Sequence, residues 1–266
     1  MSILFFDVDN TLLSHRTWTI PDSARNALEK VKENGHTLFL CSGRSVTGMA
    51  EYFDDRLFDG MVASSGARGM YHGSIVYDYP IDPADIETMR QVAEEFQVGL
   101  FLQASEMNWM NVPGYWRMVR YLHNDEEALK KRGIRMMESY RGEPILKMDL
   151  FFTDACDRDA LLKEIPAGIE TCVILSEFPE QSGCELTRRG ITKGTGVLEM
   201  MEYLGFDPKD SYVFGDSEND LPMMKQCGTG IAMGNASQQV KEEADYVTAD
   251  IAEDGIYCAL KHFGLF

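Results

Sequence analysis

Short apolar runs alternate with helical periodicity at both ends of the chain. Ile3 to Phe6 is a continuous apolar run that stops at polar Asp7-Val8-Asp9-Asn10-Thr11, the pattern of a strand buried on both faces of a parallel sheet. Pro21 and Asp22 then open a helix whose apolar positions Ala24, Ala27, Leu28 and Val31 recur at i, i+3, i+4 and i+7. Gly35 can close that helix in the left-handed conformation. Thr37 to Cys41 is a second apolar run, ending at Ser42-Gly43-Arg44. Two strands joined by a helix make a βαβ unit, and such units build parallel sheets. The alternation returns late in the chain. Gly190 to Leu204 predicts a helix with Val197, Leu198, Met201 and Leu204 on one face and Gly205 after it. Tyr212-Val213-Phe214 predicts a strand ending at Gly215-Asp216, and Ile231-Ala232-Met233 and Tyr246-Val247-Thr248 two more, separated by a helix.

The middle of the chain has another rhythm. Asp82 as N-cap and Pro83 at the first helical position start a helix with Ile86, Met89, Ala93 and Phe96 on its apolar face. Leu146, Met148, Leu150 and Phe152 then alternate with Lys147, Asp149 and Phe151, the period-2 pattern of an antiparallel strand covered on one face. Cys172 to Leu175 and Cys184 to Leu186 are its candidate partners. The pattern therefore predicts an α/β fold: a Rossmann-like parallel-sheet core domain, residues 1–81 and 186–266, with an α+β domain, residues 82–185, inserted into it.

Composition narrows the function. Of 266 residues, 43 are acidic and 25 basic, a net charge of −18, which repels nucleic acid and anionic membranes. An anionic substrate would need local positive charge or a metal. No apolar run approaches the ~20 residues of a membrane span, and the start lacks the basic region of a signal peptide, so a cytoplasmic protein is expected. Six cysteines without a C-x-x-C pair read as reduced thiols.

Four segments carry candidate chemistry. Asp7 and Asp9 follow a buried strand, where open α/β sheets place ligands, although Asp-x-Asp alone is equally a turn. Ser42 and Gly43 offer a hydroxyl and a backbone N–H to a phosphate oxygen, or simply turn the chain. Lys193 stands at a helix start, where the helix dipole disfavours a cation unless an anion compensates. Gly215-Asp216-Ser217-Glu218-Asn219-Asp220 places three carboxylates and an amide after a strand. Such hard oxygen ligands suit Mg²⁺, and an acidic N-cap cluster is the alternative.

In that order the four segments resemble the motifs of the haloacid dehalogenase-like hydrolase superfamily. The long insert, together with Gly234-Asn235-Ala236 and Glu253-Asp254-Gly255, is similar to the Cof-type phosphatase branch, in which an α+β cap sits between the second and third motifs. Two positions depart from the pattern: Asn10 stands where Gly is more frequent, and Ser65-Gly66-Ala67 where the branch has Asn-Gly-Ala. The resemblance implies Asp7 as nucleophile forming an aspartyl-phosphate and Asp9 as general acid and base. It implies Mg²⁺ bound by Asp7, the Asp9 carbonyl and Asp216 with support from Asp220, and Ser42, Gly43, Lys193 and Asn219 on the phosphoryl group. The expected activity is Mg²⁺-dependent hydrolysis of small phosphorylated metabolites, sugar or nucleotide phosphates, by a monomer or small homo-oligomer. A phosphotransferase or phosphomutase sharing the intermediate and a non-catalytic phosphate sensor are the alternatives. In the insert, Asn108-Trp109-Met110-Asn111 and Tyr115-Trp116-Arg117 read as packing or as substrate contacts, and Lys130-Lys131-Arg132, after Glu126 and Glu127, as paired charges on a solvated helix.

Overall fold

The computed structural model describes residues 1–50, 54, 56–121, 127, 129, 133–174 and 182–266. They divide into two compact units, one of residues 1–43, 52–78 and 192–266 and one of residues 44–51 and 79–191.

The first unit begins with β1 (Ile3–Phe6), α1 (Asp22–Glu33) and β2 (Thr37–Cys41). All four residues of β1 are buried, and α1 buries the expected stripe of Ala24, Ala27, Leu28 and Val31. The short α2 (Val46–Met49) belongs to the second unit, and the first unit continues with β3 (Gly60–Ala63), β4 (Arg68–Tyr71) and β5 (Ser74–Asp78).

The second unit comprises α3 (Pro83–Glu95), β6 (Gly99–Gln103), β7 (Asn108–Met110), α4 (Val112–Tyr121), β8 (Ile134–Met136), β9 (Lys147–Phe151), α5 (Arg158–Lys163), β10 (Ile169–Ile174) and β11 (Gly183–Arg188). The chain then returns to the first unit through α6 (Lys193–Leu204), β12 (Ser211–Gly215), α7 (Leu221–Gln226), β13 (Thr229–Ala232), α8 (Gln238–Glu243), β14 (Tyr246–Val247) and α9 (Gly255–His262).

The eight strands of the first unit form one sheet in the order β14-β13-β12-β1-β2-β3-β4-β5. Pairing is parallel from β14 to β3 and antiparallel at β3/β4 and β4/β5. After β1 the chain winds outward through β2 and β3, then later through β12, β13 and β14 on the other side. β1 therefore lies at the point where the strand order reverses, and the carboxyl ends of β1, β2 and β12 share one edge.

The second unit is a six-stranded sheet, β10-β11-β9-β6-β7-β8, antiparallel except at β7/β8. Ile86, Met89, Val92 and Ala93 of α3 pack on Leu100, Leu102, Met148, Leu150 and Leu186, and Trp109 is fully buried in that core. Asn111 fixes α4 to β6 by accepting from the Leu100 N–H (2.9 Å) and donating to the Val98 carbonyl (2.9 Å). Trp116 is half exposed, whereas Arg117 lies over the Phe151 ring, 5.1 Å from its centroid, and donates to the carbonyls of Phe152 and Ser182.

Several expectations are corrected. The helix before β12 starts at Lys193, not Gly190, because Gly190 is left-handed and Thr192 caps the first turn. Its buried face is Lys193, Gly194, Gly196, Val197, Met200 and Met201, leaving Leu198 and Leu204 half-buried. The strand at 231–233 is Thr229–Ala232, with Met233 continuing the ladder by one N–H to the Gly215 carbonyl, and the last strand ends at Val247. β10 pairs with β11 and not with β9, whose two edges are taken by β11 and β6; Leu175 lies outside the described residues. The second face of β9 is covered too: Lys147 is buried and bonds Glu185 at 2.7 Å and Asp149 at 3.1 Å. The units part at 78/79 and 191/192 instead of 81/82 and 185/186, since β11 pairs along its whole length within the second sheet. Lys130-Lys131-Arg132 and Glu126 lie outside the described residues. No helix among the described residues is long and apolar enough to cross a membrane.

Candidate active site

Asp7 is the first residue past β1, and its N–H donates to the Phe214 carbonyl of β12 at 2.9 Å, so the sheet itself fixes its backbone. Across from it, α6 begins with a capping box in which the Thr192 and Thr195 side chains satisfy each other's N–H groups. That cap presents Lys193, 2% exposed, at the first helical position. Its Nζ donates to Asp7 Oδ1 at 2.7 Å and to Asp220 Oδ1 at 2.6 Å. The two carboxylates thus offset the unfavourable dipole at this helix end.

Asp220 is fully buried, and its second oxygen accepts from the N–H groups of Asp216 (2.9 Å) and Ser217 (3.1 Å). The turn after β12 closes so tightly that a Cβ on Gly215 would stand 2.5 Å from the Cβ of Asp220. This closure carries Asp216 back to Thr11, whose hydroxyl donates to Asp216 Oδ1 at 3.2 Å. Replacing Asp220 by alanine strands two backbone donors and half of the Lys193 pairing, so we expect a loss of about 3 kcal/mol in unfolding free energy. Urea denaturation checks it.

Asp7, Asp216 and Asp220 each offer an oxygen within 4.8 Å of the others. One ammonium faces three carboxylates. Burial pushes the Asp7 carboxyl up to about 8, with Lys193 opposing and Asp220 and Asp9 adding to the rise. Burial, then Asp7 and Asp220, raise Asp216 as well. For Lys193 burial opposes the charge, but Asp220 and Asp7 outweigh it and hold the ammonium well above its ordinary range. A cluster short of positive charge, built of hard oxygen donors, fits a divalent cation of the Mg²⁺ type.

The Asp9 side chain has a hydrogen-bond partner of its own. Its Oδ1 is bonded to His15 Nε2 at 2.6 Å, and both side chains are about one-third exposed. Between them Asn10 takes a left-handed φ of 57°, a conformation that Gly and Asn adopt most readily, which accounts for an Asn where Gly is more frequent. Asn235 locks this bend, donating to the Asn10 carbonyl at 2.8 Å and accepting from the Ile251 N–H at 3.0 Å. Ser42 and Gly43 follow β2 on the same sheet edge; Ser42 is buried, and its carbonyl accepts from the Ser65 N–H at 3.0 Å. Asn219 Oδ1 accepts from the Ser217 hydroxyl at 2.9 Å.

Pattern reading gave no role to Thr11, Asn235 or His15. Thr11 stands in the same segment as Asp7 and Asp9, and Asn235 in Gly234-Asn235-Ala236, which is the signal that could have found them. His15 offered only a lone histidine six residues past Asp9.

These features define an α/β enzyme whose working groups, carboxylates and one buried lysine, gather at the carboxyl edge of a parallel sheet. The sequence profile of the haloacid dehalogenase-like hydrolases matches residues 4–260, and the chain belongs to that family. YkrA of Bacillus subtilis, a candidate phosphatase, is 27% identical over 270 residues, with 99% of this chain and 98% of YkrA covered. Pyridoxal phosphate phosphatase YbhA of Escherichia coli is 25% identical, with 96% of this chain and 95% of YbhA covered. Among solved structures, the subclass IIB sugar phosphatase BT4131 superposes with a TM-score of 0.86 at 30% identity, both chains covered in full. A phosphatase is the enzyme class these relatives support.

Proposed function

We propose that the protein is a Mg²⁺-dependent phosphatase that hydrolyses small phosphorylated metabolites through an aspartyl-phosphate on Asp7. The observation that carries this reading is the buried Asp7–Lys193–Asp220 chain, with bonds of 2.7 and 2.6 Å, beside Asp216. It holds a nucleophile, a fixed cation and a metal-type donor set in one place. The sugar phosphatase BT4131 and the pyridoxal phosphate phosphatase YbhA support small phosphate monoesters as the substrate class.

In the first step an Asp7 carboxylate oxygen forms a bond to phosphorus as the ester oxygen departs, taking a proton from Asp9. In the second, water attacks the same phosphorus, loses its proton to Asp9, and Asp7 leaves as a carboxylate with inorganic phosphate released. Lys193, the Ser42 hydroxyl, the Gly43 N–H and Asn219 hold the phosphoryl oxygens, a task of positioning and charge stabilisation that dominates this chemistry. Mg²⁺, held by Asp7, the Asp9 carbonyl and Asp216, would supply the positive charge that the three carboxylates lack. Both Asp220 oxygens are already engaged, so Asp220 orients Lys193 and the 216–217 backbone. Selection among sugar and nucleotide phosphates is assigned to the inserted unit. The charge of −18 supports a protein without nucleic-acid or membrane partners, and we infer a cytoplasmic monomer or small homo-oligomer.

The test is phosphate release across a panel of phosphorylated metabolites with Mg²⁺; phosphate appearing on a second sugar instead would identify a phosphomutase, and no turnover a sensor. Activity is expected to vanish in chelator and to stay absent with Ca²⁺. Mg²⁺ demands near-octahedral geometry, whereas Ca²⁺ takes more oxygens at longer distance and can capture both oxygens of Asp7. Equal turnover with the two ions would contradict the assignment.

A further inference from the structure

A carboxylate that must give up a proton and then recover one has to point the same oxygen at the reacting atoms in both steps. Asp9 lies past β1 in an isolated bridge with Leu13 and its side chain is about one-third exposed, so burial alone does not select among its rotamers. His15 meets it directly: Nε2 lies 2.6 Å from Oδ1.

The imidazole is itself held. Residues 14–19 fold back on themselves, with the Ser14 N–H donating to the Thr19 carbonyl at 3.1 Å and the Trp18 N–H to the Ser14 carbonyl at 2.7 Å. Trp18 takes a left-handed φ of 55°, a conformation that a non-glycine residue rarely adopts. Its ring stays 47% exposed and stacks on His15 with centroids 4.8 Å apart and planes 21° apart. An exposed tryptophan on a strained backbone gains little from burial; its contact is the flat face of the histidine.

We propose that His15, braced by Trp18, is a positioning residue for Asp9. With a hydrogen on Nε2, the imidazole donates to Oδ1 whether Asp9 is acid or carboxylate. Oδ2 is then the oxygen that carries the proton to the leaving group and later takes one from water. The proposal rests on the phosphatase reading, because it assigns the orientation of that reading's acid and base.

The experiment compares wild type, His15→Ala, His15→Gln and Trp18→Ala on p-nitrophenyl phosphate and on the sugar phosphate the wild type turns over fastest. kcat/KM reports the phosphorylation step. In His15→Ala it should fall about tenfold or more for the sugar phosphate, part of the 10²–10⁴ that acid–base catalysis supplies. For the aryl ester, whose leaving group needs little protonation, it should hold within about twofold. His15→Gln, which keeps an N–H at the same reach, should recover most of the loss, and Trp18→Ala should show a smaller loss with the same substrate bias. Independently of turnover, long-range ¹H–¹⁵N spectra should show His15 protonated on Nε2 and shifted by Asp9→Asn. Equal kcat/KM losses on both esters, no loss at all, or an imidazole indifferent to Asp9→Asn would overturn the positioning role while an active wild type leaves the phosphatase reading intact. A wild type inactive on every ester would overturn both.

Discussion

Asp7→Asn is expected to abolish phosphate release and leave the fold in place. An amide oxygen is a far poorer nucleophile than a carboxylate, so no covalent intermediate should form with any donor. The side chains are nearly isosteric, and Asn Oδ1 can still accept the bond from Lys193, which also keeps Asp220. The substitution removes one of three carboxylates, two of them buried, that crowd a single ammonium. Without metal, then, the variant should unfold at the same temperature as the wild type or higher. Mg²⁺ should raise the wild-type midpoint and raise the variant's less, because a ligand stabilises by what it gains in binding the folded state and the variant has lost one donor. Both readouts need an undeamidated sample, verified by intact mass. Substantial phosphate release would remove Asp7 from the role, and an unchanged metal response would remove it from the donor set.

Local chemistry and short-range periodicity made much of this molecule legible. Ile3–Phe6 and Thr37–Cys41 are strands because a continuous apolar run flanked by polar turns has no other place than the middle of a parallel sheet. Asp7, Lys193, Asp216 and Asp220 converge because each follows a strand or opens a helix on one sheet edge, a consequence of topology that spacing along the chain foreshadows.

Contacts that depend on register or loop folding stayed hidden. Lys147 and Asp149 alternate with leucine and methionine as solvent-facing residues do, yet Glu185 arrives opposite Asp149 through the β9/β11 register and buries the lysine among charges. The helix α6 starts three residues after Gly190 because Thr192 and Thr195 close a capping box there, and the two carboxylates that Lys193 meets explain a lysine in the first turn against the dipole rule. His15 depends on the fold-back of 14–19, which no period announces.

Asp9→Asn should separate the two chemical steps. Asparagine neither gives nor takes the proton, so protonation of the leaving oxygen and deprotonation of water are both lost. An activated aryl phosphate needs little protonation as it departs, and Asp7 can still be phosphorylated. The second step has no such escape, because water must shed a proton as it attacks the aspartyl-phosphate. Acid–base catalysis is worth roughly 10²–10⁴-fold, so dephosphorylation should slow by about that factor. Phosphoenzyme then accumulates, visible by intact mass as one added phosphoryl group that Asp7→Asn abolishes. Because the Asn amide can still meet His15, the bend around Asn10 should survive and the adduct should form on a folded chain. Slow turnover of the activated donor without any adduct, in a folded variant with Mg²⁺ present, would mean that another group controls the second step.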